Sequence, residues 1–333
     1  MDRKSGGIHS IDSHRKAWKV VSWVVISLVI FLIVAYLGVS AYAANAFTQP
    51  QRNIDIDRYN PGVYSLDYEE FTLPARVDGL QIAAWYIPSE ENQRVIILVH
   101  GYGNSRTNGF LDKFVSFASR LHDAGFSVMM IDLRGHGLSE DARYTFGVKE
   151  RRDILGAVDW LEQRGCQADK IGVLGYSLGA DSIVGAAAEE PDIGAVWVDS
   201  LFADIESVLD NGWTGVTELP KPFLYSTRVM IRLFYGYDIA ASRPIDEIAS
   251  IAPRPLFMAH CQNDNLIQIS QMNQLLAVAQ VTDTWLIPNC DIHTTDLNPD
   301  GFLEIFNNHA IGYPLNPDEY TQKVVLFFDQ GLE

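Results

Sequence analysis

The stretch Lys170–Ala180, reading K-I-G-V-L-G-Y-S-L-G-A, restricts what this chain can fold into more than any other. Ile171, Val173 and Leu174 suit a short buried strand, and a helix-like run follows from Ala180 to Glu190. Between them, Gly175-Tyr176-Ser177-Leu178-Gly179 matches G-x-S-x-G. A serine on a sharp strand-to-helix turn has its hydroxyl pushed clear of the sheet. Glycines two residues to either side fit such a turn, which brings backbone segments together and leaves little room for a Cβ. The pentapeptide alone can arise by chance in a Gly-rich loop; the flanking strand and helix give it meaning.

The same strand–helix rhythm extends both ways. Tyr68–Leu73 and Leu80–Ile87 read as strands around Asp78-Gly79, a hairpin signal. Val95–Val99 is a continuous apolar run, as in a strand buried on both faces, and His100-Gly101-Tyr102-Gly103-Asn104 follows as a turn. Asn108–Ala124 reads as one helix, with Phe110, Phe114, Phe117 and Leu121 at helical spacing. Further strands fall at Val128–Ile131 and Gly194–Val198, and an amphipathic helix at Val148–Arg164. This alternation predicts an α/β fold with a mostly parallel central sheet covered by helices on both faces. The rhythm breaks at about 201–251, which is rich in large apolar residues such as Phe202, Trp213, Phe223 and Phe234 but has no strand pattern. A short helical cap inserted between strands is expected there. Strands resume at Leu256–Ala259 and Thr284–Ile287, with a helix at Ser270–Gln280 between them. A last helix starts at Asn316-Pro317-Asp318-Glu319, with Asn316 as its cap.

The N-terminus has a different character. Residues 1–19 are polar, with five basic residues against two acidic ones, and read as a basic tail. Residues 20–44 contain no charge and, as a helix, would reach roughly 37 Å. A bilayer core is about 30 Å thick. Trp18 and Trp23 near one end and Tyr36 and Tyr42 near the other suit interfacial positions. The basic flank predicts a single-pass helix with a cytoplasmic N-terminus and an extracytoplasmic domain. Cleavage as a signal peptide at the A-x-A sequences Ala41–Ala43 or Ala44–Ala46, giving a secreted protein, is the alternative; the run is longer than a usual signal core. Residues 45–63 read as a linker and 64–333 as the globular domain.

A formal net charge of −17 excludes nucleic acid as an expected partner. The three cysteines, Cys166, Cys261 and Cys290, match no zinc spacing and read as buried free thiols, with one pair and one leftover thiol as the alternative if the domain lies outside the cell. No cofactor or metal motif is present.

A serine hydroxyl becomes a nucleophile only with a base to take its proton, a carboxylate to orient that base, and N–H donors for the oxyanion. With these requirements in view, the chain resembles the α/β-hydrolase fold family over roughly residues 64–333, in its esterase-like and serine-aminopeptidase-like branches with a membrane anchor. The resemblance rests on His100-Gly101 after the third strand, D-x-R-G-H-G-x-S at Asp132–Ser139, G-Y-S-L-G at Gly175–Gly179, Asp199–Asp204, and Asp264 after Leu256–His260. It implies Ser177 as nucleophile, with backbone N–H groups of Tyr102 and Leu178 as the oxyanion hole. Asp264 is the expected acid, with Asp199 as runner-up. The order Ser–acid–His leaves two bases, His309, placed shortly before the last helix, and His293, placed shortly after the last strand. His309 is preferred, and His293 is the alternative on an insertion of about sixteen residues. His100 and His136 precede the serine and are expected to be structural. The implied activity is hydrolysis of an ester through an acyl-enzyme. A peptidase or amidase, or a non-catalytic binding module on the same fold, are the alternatives. The expected partners are a small acyl or peptide substrate and the lipid bilayer.

Overall fold

A computed structural model describes residues 6–50, 52–90, 93–291 and 308–333. Eight strands form one sheet: β1 Glu69–Pro74, β2 Gln81–Ile87, β3 Val95–Val99, β4 Ser127–Ile131, β5 Ile171–Tyr176, β6 Ala195–Asp199, β7 Leu256–Cys261 and β8 Asp283–Ile287. Their order is β1-β2-β4-β3-β5-β6-β7-β8. β1 and β2 pair antiparallel, as does β2 with β4, and every later pairing is parallel. The central strands β3, β4, β5 and β6 are buried at every position, which is why they read as unbroken apolar runs.

Alternate residues of these strands feed two cores. Ile97, Val99, Val173 and Val198 pack on one face with α4 (Arg151–Gln163) and α5 (Leu178–Glu189). Ile96, Leu98, Leu174 and Trp197 pack on the other with α3 (Phe114–Asp123) and the final helix, Pro317–Gly331. Residues 201–251 form the expected helical cap, chiefly α6 (Ile205–Thr217) and α7 (Pro222–Tyr235). It sits on the same face as α4 and α5.

Three local expectations need correction. The helix expected over Asn108–Ala124 is broken: α2 is one turn at Gly109–Asp112, with Phe110 and Leu111 at φ 50° and 55°, and α3 starts at Phe114. The cause is tertiary. Phe110 turns inward to stack on Tyr176 at a centroid distance of 4.5 Å, and it also meets Phe114 and Tyr313. That burial outweighs the cost of a left-handed backbone. Second, Cys261 and Cys290 form a disulfide, leaving Cys166 free. The end of β7 pairs with β8 through Cys261 and Ile287, and the chain then folds back to bring Cys290 within reach. Third, the side chain of Asn316 makes no capping hydrogen bond, so Pro317 and the acidic first turn start that helix without it.

The N-terminal helix α1 covers Gly6–Thr48, running past the apolar stretch. It is long and apolar enough to cross a membrane, and the span is not buried by the rest of the protein. Its last turns differ: Ser40, Ala44 and Thr48 are fully buried, and α1 lies along α7.

Candidate active site

The elbow after β5 has the geometry its glycines suggest. Ser177 sits at φ 53° and ψ −120°, between the end of β5 and the first residue of α5. A Cβ on Gly175 would stand 2.6 Å from the carbonyl carbon of Gly179, and one on Gly179 would stand 2.4 Å from the Val99 oxygen. Both positions are closed to any larger residue. The Ser177 N–H donates to the Asp199 carbonyl at 2.9 Å, which fixes the elbow to β6.

Ser177 Oγ lies 2.9 Å from His309 Nε2, and His309 Nδ1 lies 2.8 Å from Asp264 Oδ2. The other carboxylate oxygen of Asp264 accepts the N–H groups of Leu266 and Ile267 at 2.9 and 2.8 Å. A carboxylate facing Nδ1 places the ring proton there, leaving the Nε2 lone pair to accept from the serine hydroxyl. Asp264 and His309 are buried, and Ser177 is partly exposed. The described structure therefore brings together Ser177, Asp264 and His309; His293 lies outside the described residues.

The loop after β3 passes directly against the elbow, since a Cβ on Gly101 would come within 3.4 Å of Ser177 Cβ and 2.7 Å of the Tyr176 ring. Tyr102 follows in that loop. Leu178 opens α5, where its N–H has no carbonyl one turn earlier to bond. His136 Nε2 accepts the Gly103 N–H at 3.3 Å, and His100 Nε2 accepts the Leu133 N–H at 3.0 Å. Burial pushes both imidazoles below their ordinary pKa, strongly for His136. Both are neutral braces for the loops around the site, in keeping with their Gly-rich context.

Asp199 is placed beneath the serine rather than against His309. Its carboxylate accepts the Tyr320 hydroxyl at 2.9 Å and the Ser200 hydroxyl at 3.0 Å. Burial pushes its pKa up to about 6, against the lowering effect of these two bonds.

Several neighbours carry no motif and are not legible as site residues. Asn308 Oδ1 accepts the Asn265 N–H at 2.9 Å and its amide donates to Asn263, so it ties the histidine loop to the acid loop. Its only sequence signal is its position next to His309. From α1, Phe47 packs on Tyr102 at 6.4 Å and on Trp213 of the cap at 6.0 Å. A separate cavity of about 450 Å³ is lined by residues including Asp78, Arg134, Arg143, Lys149 and Tyr237, and touches neither Ser177 nor His309. Among the described residues, no group of three or more His, Cys, Asp or Glu side chains is placed to hold a metal ion.

The strand order, the elbow and the crossing helices define an α/β-hydrolase fold. Within it, the chain belongs to the serine aminopeptidase, S33 family, whose model matches residues 90–272. The uncharacterized protein YfhR of Escherichia coli (strain K12) is 25% identical over 248 residues, 73% of this chain and 77% of YfhR. Among solved structures, the Pyrococcus furiosus esterase Pf2001 superposes with a TM-score of 0.65 at 22% identity, covering 86% of this chain and all (100%) of that one. A membrane phospholipase A described as a bacterial virulence factor gives 0.54 at 16% identity, covering 94% and 98%. At these identities the structural likeness establishes the fold. Membership of a hydrolase family makes hydrolysis the activity class.

Proposed function

We propose that this protein is a membrane-anchored serine hydrolase that cleaves carboxylic esters. The observation that carries the reading is the 2.9 Å contact between Ser177 Oγ and His309 Nε2, with His309 held from behind by Asp264. Ser177 Oγ attacks the acyl carbon while His309 takes its proton. The oxyanion is received by the N–H groups of Tyr102 and Leu178. His309 then protonates the leaving alcohol, giving an acyl-enzyme, and water repeats the sequence to release the acid. Asp264 orients the imidazole and stabilises its charged form.

An ester is favoured by the aromatic packing behind the oxyanion loop, where Phe47 meets Tyr102 and Trp213. The family's name supports a second reading, an aminopeptidase. That activity needs a carboxylate free to meet a substrate ammonium, and among the described residues both Asp264 and Asp199 are engaged. In this reading α1 spans the bilayer with its basic flank in the cytoplasm and the hydrolase domain outside. The Cys261–Cys290 disulfide suits an oxidising compartment.

Fluorophosphonate labelling tests the proposal. Wild type should label and Ser177→Ala should not; equal labelling of the two would sink it. Comparing p-nitrophenyl esters with aminoacyl naphthylamides then separates esterase from peptidase.

A further inference from the structure

The cap is fixed to the anchor at a defined height. The Tyr36 hydroxyl donates to the Pro222 carbonyl at 2.8 Å, and Ser40 Oγ meets Ser226 Oγ at 2.7 Å. The Tyr36 ring packs on Phe223 at 4.7 Å, and the Tyr235 hydroxyl donates to Asn45 at 3.3 Å. Helix α7 therefore runs alongside the end of α1 in the same direction, and its first turn is level with Tyr36. If the span is taken as about 20 residues from Trp18, its outer edge falls at about Leu37. The turn between α6 and α7 is thus held where the hydrocarbon meets the headgroups.

At that level exposed apolar side chains stand beside the exposed charges of Glu218 and Lys221, as at a headgroup layer. Val216 and Tyr225 are 41 and 59% exposed, and Val229, Leu233 and Phe234 continue the apolar surface along α7, about 10–18 Å farther from the bilayer. Tyr225, Val229 and Leu233 recur every four residues, forming one stripe on the helix. Lys221 stands beside them, half exposed and paired with Asp210. Elsewhere in the globular domain, large exposed apolar side chains fall singly, as at Val77, Leu138 and Leu326, or as the pair Val63 and Tyr64.

The same cap reaches the site. Asn211 of α6 donates to the carbonyls of Asn265 and Leu266, next to Asp264. Trp213 meets Phe47, which meets Tyr102. From Asn211 to the end of α6 is about 9 Å of helix. An ester at the bilayer surface thus lies within about two helix turns of the residues beside Asp264.

We infer that the α6–α7 turn and the first turn of α7 rest at the headgroup level of the outer leaflet beside the anchor, and that the substrates are acyl esters resident in that leaflet. This rests on the anchored serine hydrolase reading above. The occupant is the bilayer because the apolar surface continues from the transmembrane span that fixes its height.

The test uses the full chain in phosphatidylcholine nanodiscs, with Cys166→Ser removing the free thiol and single cysteines labelled with an environment-sensitive fluorophore. Leu28→Cys reports the span, Val216→Cys and Tyr225→Cys report the cap, and Leu326→Cys reports the opposite face. Nitroxide-bearing lipid should quench the labels at 28, 216 and 225 but not at 326. Quenching at 28 without 216 and 225 overturns the cap contact. So does cross-linking of unlabelled Tyr225→Cys between two copies in place of lipid quenching. No quenching at 28 overturns the anchor and the inference with it.

For the substrate class, turnover of methylumbelliferyl oleate in the bilayer is compared with that of p-nitrophenyl acetate in water. Replacing Val216 and Tyr225 together by Ser should lower the ratio of the two about tenfold. An unchanged ratio overturns the substrate class. A wild type that turns over neither ester removes the esterase reading itself, whatever the quenching pattern.

Discussion

His309 is held at both ring nitrogens, by Ser177 and by Asp264. In the proposed mechanism every proton transfer passes through it, so His309→Ala should lower kcat by about 10³-fold or more. Circular dichroism should show the variant folded. Turnover near the wild-type rate would move the base to His293. Asp199 makes a different prediction, one about stability. Its folded pKa of about 6 lies above the ordinary 3.8, so the folded state binds its proton more tightly than the unfolded state. The stability from that protonation is fully present below the unfolded value and is lost as pH rises through the folded one. Asp199→Asn has no such group. Urea unfolding of both proteins from about pH 4 to 7 should therefore show wild type losing stability relative to the variant, by on the order of 2 kcal/mol across that range. A gap constant from one end to the other would mean that Asp199 titrates normally.

Individual elements are stabilised by contacts of very different range, and this decides which of them the sequence reveals. The strands around Ser177 are buried on both faces, so their apolar runs mark them directly. The serine itself is announced by glycines whose Cβ positions are blocked. Asp264 is legible because a polar turn follows a buried strand. Choosing between His293 and His309 depends on the path of a long segment through space, which local pattern does not encode. The break before α3 is hidden for a similar reason, since the packing of Phe110 on Tyr176 overrides good helical spacing. The disulfide needs β7 and β8 to be neighbours before its pairing has any meaning. It closes a loop with a sequence separation of 29 that includes the helix Ile269–Leu276 and the acid turn. Losing it should cost about 3.5 kcal/mol by loop entropy. Cys290→Ser should accordingly lower the unfolding midpoint, and a reductant should lower that of wild type to match. Equal midpoints in all three cases would show that the bridge adds no stability.

At the scale of the whole molecule, α1 belongs to two environments. Its first part is exposed along the span, while Ser40, Ala44 and Thr48 are fully buried in the hydrolase domain. Arg143 donates to Thr48 Oγ1 and to Asn45 Oδ1, and the Tyr102 hydroxyl donates to the Phe47 carbonyl. The last turns of α1 thus brace both the cap and the loop that carries Tyr102. Burial of each large apolar side chain is worth about 1.5–3 kcal/mol, and a whole domain is stable by only about 5–15. Where the chain is cut should therefore matter more than whether the span is removed. A protein starting at Tyr36 keeps the buried turns and should be soluble, cooperative in its melt and active on p-nitrophenyl acetate. One starting at Gln49 leaves the α1-facing side of α7 uncovered and Arg143 without these partners. It should melt lower or aggregate, and lose turnover as the Tyr102 loop loosens. Thermal melts and esterase rates of the two proteins, measured side by side, decide the point. Equal melting and equal rates would reduce α1 to a tether, whereas the expected difference makes its outer end a working part of the hydrolase domain.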